Sequence, residues 1–401
     1  MAKKGDGTLA WLRERNRERV IGALREQGQT SQADIARVTG LSRTTVSKLV
    51  AELKGSGLVG ELQVVAHDPR GAHGGRPPVQ LMLRDSSKAV VGIDFGHSHV
   101  RVAVADLAHN VLAERVRYLD VNHQATESLD ASVAMVDEVL GEVDIRPAKV
   151  IGVGIGIPGP VDRVRGTAGS ASILPGWIDI RIRTEMERRL GLPVEIENDA
   201  NLGALAELTW GAGRDCSTFA YIKASTGIGA GIVIDGSLLR GASGTAGEIG
   251  HTTLDEGGVL CYCGNRGCLE TVASGPAIVA LVGTANGEGL TLADVIARAA
   301  AGDVRCRRAI SDASREIGVA VAGLCNLINP ERVVVGGQLS QSGDLALGPI
   351  RESIRRFAVQ AAADRVKVVS AVFVERAELL GSLALALKTS NPAFAARAAG
   401  T

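Results

Sequence analysis

The sequence predicts an α/β protein in two parts, a winged helix-turn-helix head over residues 1–88 and a two-lobed α/β body over residues 89–401. Three observations lead there. A chain of 401 residues is too long for one ordinary domain. Its formal charge of zero hides a division: residues 1–88 carry 15 Lys+Arg against 9 Asp+Glu, a net of +6, so the remainder is −6. The body also opens twice in the same way, at Val90 and again at Phe219, with an apolar strand, a polar turn containing Gly and a second strand. A basic head on an acidic body fits a polyanion partner for the head alone.

Residues Thr8 to Gln27 place Leu9, Leu12, Val20, Ile21 and Leu24 on a stripe among Arg and Glu, which predicts a first helix. Ser31 is placed to cap a second, which carries Ala33, Ile35, Ala36 and Val38 to a stop at Gly40. A third takes Ser42 as its cap and buries Val46, Leu49, Val50 and Leu53. In a helix-turn-helix the N-terminal part of that last helix meets base edges in the major groove. The expected contacts to double-stranded DNA are therefore Ser42, Arg43, Thr44, Thr45, Ser47 and Lys48, with Arg43 on a guanine edge and Lys48 on a phosphate. Leu58-Val59 and Val64-Val65 read as one strand, Val79 to Leu83 as its return, and Asp68 to Pro78 as the loop of a wing. The run Gly74-Gly75-Arg76-Pro77-Pro78 is flat and extended, suited to a narrow A·T minor groove with Arg76 inserted. Helix pairs of this kind also occur in proteins that bind no DNA, and Gly-Arg-Pro can be only a turn.

In the body, Val90 to Phe95 enters Asp94-Phe95-Gly96-His97-Ser98 before the strand Val100–Asp106. Phe219 to Lys223 enters Ser225-Thr226-Gly227-Ile228-Gly229-Ala230-Gly231 before the strand Ile232–Asp235. Turns like these can present backbone N–H groups to phosphate oxygens, which makes Asp94, Gly96, Ser98, Thr226, Gly227 and Gly229 resemble phosphate loops. Their repetition suggests a duplicated α/β unit with a ligand cleft between the lobes. Between them, the strand Val194–Glu197 ends in Asn198-Asp199, aiming a carboxamide and a carboxylate into that cleft, where Asp199 could take a hydroxyl proton. An Asx turn capping a helix from Ala200 to Leu208 explains the same two residues.

The densest chemical signal is His251 with Cys261, Cys263 and Cys268. One imidazole and three thiolates complete a tetrahedral set, and Gly264 and Gly267 let the loop fold back on an ion, so the pattern predicts structural zinc with no position open for water. Free core cysteines or a redox pair would leave the His and the glycines unexplained. Cys216, Cys306 and Cys325 lack such neighbours and are expected to be ordinary buried residues. Crowded reduced thiols, no apolar run long enough to span a bilayer and no apolar core after Met1-Ala2-Lys3-Lys4 together predict a cytoplasmic protein without a membrane partner.

Two of these segments resemble a known family. Glu248-Ile249-Gly250-His251 is similar to the sugar motif, and Cys261 to Glu270 to the zinc motif, of the ROK family of repressors, open reading frames and kinases. Head and body together resemble its repressor branch, whose members respond to xylose, N-acetylglucosamine or glucose. The resemblance implies an actin-like sugar-kinase fold for the body, with Gly159, Ser172, Asn198, Asp199, Glu248, His251 and Glu270 around a sugar. His251 would then serve zinc with one ring nitrogen and sugar with the other, the metal fixing its tautomer. Asp199 stands where the family's kinases carry their base. Three departures count against ATP chemistry: His97 replaces a Gly of the kinases' first phosphate loop, Gln338 follows Gly336-Gly337 where they usually carry a third Gly, and Ile173 stands where they often carry Asn. Phosphoryl transfer depends mainly on positioning, so the expectation is a sensor that binds sugar and catalyses nothing. The alternative is an ATP-dependent sugar kinase with a DNA-binding appendage. One head contacts one half-site, so a homodimer or homotetramer is expected.

Overall fold

The structure is a computed structural model that describes residues 6–55, 57–62, 79–83, 88–168, 173–283 and 289–390. Arg76 and Ser172 lie outside the described residues.

The head runs α1 (Asp6–Gln27), β1 (Gln29–Thr30), α2 (Gln32–Thr39), α3 (Arg43–Gly55), β2 (Val59–Leu62) and β3 (Gln80–Leu83). The sequence places its caps correctly. Ser31 Oγ accepts the Asp34 N–H at 3.2 Å, Gly40 ends α2 in the left-handed region at φ +67°, and Ser42 Oγ accepts the Thr45 N–H at 3.1 Å. All four apolar positions expected on the inner face of α3 are buried. Leu12 is not part of this core: it is 40% exposed, and among the described side chains of α1 the buried ones begin at Val20. The short β1, unmarked in the sequence, pairs with β3 and gives an antiparallel sheet of order β1-β3-β2.

The body continues with β4 (Ala89–Phe95), β5 (His99–Asp106), β6 (Val111–Tyr118), α4 (Ala125–Glu142), β7 (Val150–Ile157), a hairpin of β8 (Val161–Asp162) and β9 (Thr167–Ala168), α5 (Ile182–Leu190), β10 (Val194–Asn198) and α6 (Asp199–Thr209). Its second half holds β11 (Phe219–Ala224), β12 (Ile228–Ile234), β13 (Ser237–Leu238), α7 (Leu269–Ala273), α8 (Gly275–Val282), α9 (Leu292–Ala300), α10 (Val304–Ile328), β14 (Arg332–Gly336), α11 (Asp344–Phe357), α12 (Gln360–Ala363), β15 (Lys367–Ser370) and α13 (Ala377–Thr389). The two main sheets have orders β6-β5-β4-β7-β10 and β13-β12-β11-β14-β15. In each, the first three strands of the chain form an antiparallel meander and the last two add in parallel. The internal repeat expected from the twin openings is therefore a repeat of topology, each lobe with its own aliphatic core.

Two helices join the lobes by crossing over. α6 leaves the last strand of the first sheet and packs on β11 and β12 of the second; α13 leaves the last strand of the second sheet and packs back on β4 and β7. The pair also pack on each other, closely enough that glycine is required. A Cβ on Gly381 would lie 2.0 Å from the Leu202 carbonyl oxygen of α6, and where α13 crosses β7 one on Gly154 would lie 2.0 Å from the Ser382 oxygen. The same packing corrects the second turn. β12 starts at Ile228, earlier than the sequence suggests, so Gly229 and Gly231 lie in a strand under α6, where a Cβ on Gly231 would meet the Ala200 oxygen at 2.4 Å.

Candidate metal centre, sugar cleft and DNA-binding surface

His251 ends a 3-10 turn over Ile249–His251, and the Cys261–Cys268 loop is held beside it by the bridges Thr253 to Cys268 and Leu260 to Arg266. The four ligand atoms lie within 4.8 Å of one another. Cys263 Sγ is 3.6 Å from Cys268 Sγ, and Cys261 Sγ is 3.7 Å from His251 Nδ1. An ion about 2.3 Å from each thiolate would space tetrahedral ligands by about 3.8 Å, so the group fits a metal ion. Gly264 and Gly267 both have positive φ, and a Cβ on Gly267 would meet the Asp255 oxygen at 1.7 Å. Burial and the neighbouring thiols push Cys268 up to about 12, a cost of ionisation that a bound cation would offset. The other three cysteines are buried, as expected.

The opposite nitrogen of His251 faces another neighbourhood. Nε2 lies 3.9 Å from Glu248 Oε2 and 3.2 Å from the Tyr262 hydroxyl, whose ring meets the imidazole edge-on. Glu248 reaches this place because Gly247, at φ +98°, and Gly250 press against β12; a Cβ on Gly247 would be 1.9 Å from the Ala230 oxygen. Burial, with the Asp199 and Glu270 carboxylates nearby, pushes the Glu248 carboxyl up to about 7, so near neutrality it can donate to a hydroxyl as well as accept from one. Glu270 Oε2 accepts the Ile228 N–H at 2.9 Å, tying the metal loop to the second turn, and a Cβ on Gly227 would lie 2.9 Å from that same oxygen. On the other wall, Asn198 caps α6, its Oδ1 accepting from Ala200 N at 2.8 Å and Asn201 N at 3.2 Å, while its Nδ2 donates to the Gly159 oxygen at 2.8 Å. The capping role that the sequence left open is thus real, and it leaves one amide proton for a ligand. The buried Glu197, 2.6 Å from Arg240 Nε, ties the loop before Glu248 to β10.

The first turn differs from an open phosphate loop. His97 is turned away, its Nδ1 2.8 Å from Asn122 Oδ1. His99 stands over Gly96 instead, with Nε2 3.2 Å from Asp94 Oδ2; a Cβ on Gly96 would lie 2.2 Å from that ring. Ser98 and Thr226 are exposed, as is Gln338 at the end of the Gly336-Gly337 turn. Sequence reasoning missed His99, Tyr262, Lys223 and Glu378. Lys223 Nζ donates to Asp199 Oδ2 at 2.7 Å and lies 3.1 Å from Glu378 Oε1. No local pattern marks that pair, because Lys223 reads as a strand residue and Glu378 as the first turn of a distant helix.

In the head, Ser42, Arg43, Thr44, Ser47 and Lys48 are exposed along one end of α3 and Thr45 is half-buried. Arg43 and Lys48 have no carboxylate partner among the described residues, which leaves both cations available to an anionic surface. No helix among the described residues is long and apolar enough to cross a membrane.

Comparison with known proteins covers both parts. Residues 90–389 match the ROK family and residues 17–71 the MarR family. The chain is 31% identical over 396 residues to the xylose repressor of Caldicellulosiruptor bescii, covering 96% of this chain and 97% of that one. It is 35% identical over 312 residues to a glucokinase of Thermotoga maritima, covering 74% of this chain and 96% of the other. The crystal structure of a ROK family transcriptional regulator, a homolog of the E. coli MLC protein, superimposes with a TM-score of 0.76 at 28% identity, over 96% of this chain and 98% of that one. The body therefore has the actin-like sugar-kinase fold that the sequence implied.

Proposed function

The chain belongs to the ROK family, and on that premise we propose that it is a sugar-responsive transcriptional repressor whose kinase-like cleft controls a DNA-binding head. One observation carries this reading: similarity to repressors runs through head and body alike, whereas the kinase relatives match the body alone. Operator DNA is met by Ser42, Arg43, Thr44, Thr45, Ser47 and Lys48, with Arg76 in the minor groove. The sugar is held by Asp199, Glu248, His251 and Glu270, with Asn198, Gly159 and Ser172 on the facing wall. Their arrangement supports this, since three carboxylates and an imidazole converge at the start of α6. Zinc is the ion for His251, Cys261, Cys263 and Cys268, because three thiolates and an imidazole at these spacings suit a closed tetrahedral site. The ion fixes His251 and shapes the loop that carries Glu270; it takes no part in chemistry. Two heads about 34 Å apart are needed for a palindromic operator, so the working form is a homodimer or homotetramer, in the cytoplasm.

Asp199 and the Thr226-Gly227 turn favour a second reading, phosphoryl transfer from ATP. Against it stand the His99 ring over Gly96 and the lysine on Asp199. Calorimetric titration with a panel of pentoses and hexoses, run beside an ADP-release assay and operator binding, tests both readings. The repressor reading requires one sugar that binds, changes operator affinity at least fivefold and releases no ADP; sugar-dependent ADP release without an operator effect would replace it with the kinase.

A further inference from the structure

A largely buried cation sits where the two lobes meet, and the sugar-binding reading makes no use of it. Lys223, on β11, joins Asp199 at the start of α6 to Glu378 in the first turn of α13. The three side chains are only 20%, 16% and 12% exposed. Asp94, at the end of β4 and held by His99, adds a further negative charge nearby. Burial pulls the Lys223 ammonium down, but Asp199 and Glu378 outweigh burial and hold it well above the ordinary lysine value. The side chain therefore stays charged, and its place is set by its carboxylates.

This pairing changes what Asp199 can do. Its Oδ1 accepts its neighbour's N–H, from Ala200, at 2.7 Å, and its Oδ2 accepts from Lys223. A general base must turn a free lone pair toward the substrate hydroxyl and keep the proton it takes. Here the oxygen that would do so already faces a permanent cation. It can still accept a hydroxyl hydrogen bond, but only in competition with Lys223. The competition falls at the joint of the molecule, since α6 and α13 are the two helices that cross between the lobes.

We propose that Lys223 is a positioning residue that makes the cleft a sensor: it withholds Asp199 from base catalysis and ties α6, β11 and α13 together until a sugar hydroxyl takes Asp199 from it. The proposal rests on the sugar reading of the cleft. Sugar binding then loosens one end of α6, and the tie, not the sugar contacts alone, converts occupancy into movement between the lobes.

The test compares full-length wild type with Lys223→Met, Lys223→Arg and the charge-balanced pair Lys223→Met with Glu378→Gln, the last in case the single change leaves a buried carboxylate that unfolds the chain. For each, calorimetry gives the sugar dissociation constant and fluorescence anisotropy gives operator affinity with and without sugar. Without Lys223, Asp199 is freed, so sugar should bind about fivefold tighter, while the sugar-induced change in operator affinity falls to within twofold of none. Lys223→Arg, which can bridge both carboxylates, should restore most of the change. A merely structural lysine would alter stability and leave the ratio of the two operator affinities alone. Wild-type coupling in the folded Met variants would overturn the proposal. So would loss of sugar binding in them, which would make Lys223 a direct ligand contact. Asp199→Asn that binds sugar normally would instead sink the sugar reading beneath it.

Discussion

His251 presents Nδ1 to the Cys261 thiol and Nε2 to Glu248 and the Tyr262 hydroxyl, so a disturbance on either side of the ring is felt on the other. Cys263→Ser should therefore lower stability by ~2 kcal/mol or more and weaken sugar binding together, while operator binding without sugar persists. Differential scanning calorimetry beside sugar titration checks this, a chelator should reproduce it, and metal analysis giving less than one zinc per folded chain would count against it. The opposite dissociation is expected of Glu248→Ala, in which sugar titration should show no binding while operator affinity and melting temperature stay near wild type. The result would be a permanently unresponsive regulator. A Glu248→Ala protein that still answered sugar would place the signal elsewhere. That these residues come together was legible in the sequence because they lie close along it, a His and three Cys beside a short acidic motif with glycines between them. Lys223 was not, since it acquires Asp199 and Glu378 only through tertiary folding, and Tyr262 and His99, though their partners are near in sequence, belong to no motif that marks them.

Among the elements, α3 and α6 show the difference between what a pattern fixes and what packing decides. Every inward residue of α3 was readable from 3.6-residue periodicity, because its partners are the two helices beside it in sequence. α6 is almost wholly buried, Ala200 to Thr209, so it has no polar face to betray a period. Its location was read only from the Asn198-Asp199 cap, and its role in joining the lobes not at all. The start of β12 was placed too late for the same reason: Gly229 and Gly231 lie in the strand and serve the approach of α6 to it. For α3 the exposed end yields a graded expectation. Arg43→Ala should relax base preference, costing ~1–3 kcal/mol on the cognate operator and less on others. Lys48→Ala should weaken all duplexes alike and lower the slope of log K against log salt by about one. Operator titrations at several salt concentrations separate the two; two variants identical to wild type would mean that another surface reads the DNA.

At the scale of the whole molecule, the head is joined to the body by packing as well as by the chain that links them. The β5–β6 turn of the body enters the head: Ala108, 5% exposed, is buried in the head's core, with Leu107 against it. Leu107 also packs on the cluster that α13 forms with β4 and β5. The next residue, His109, meets Trp210 edge-on at 5.4 Å, and Trp210 is the C-terminal cap of α6. Just beyond it, Asp215 lies 3.2 Å from Arg15 of α1. α6 thus has Asn198 and Asp199 at one end and the head's support at the other, about 16 Å apart at 1.5 Å per residue. A buried helix of that length moves as a unit, so a shift at its Asp199 end must appear at Trp210. Coupling through such elements is commonly ~1–3 kcal/mol, enough to change operator occupancy by one or two orders of magnitude. It must also be reciprocal: if sugar weakens operator binding by some factor, operator weakens sugar binding by the same factor. Trp210→Leu and His109→Ala, which soften the support without placing a charge in the head, should leave each ligand's own affinity within about twofold and bring both coupling factors toward one. Calorimetric sugar titrations with and without operator give one factor, and operator titrations with and without sugar give the other. Two equal, undiminished factors in these variants would show that the signal bypasses the α6 end and reaches the head along the connection at residues 84–88.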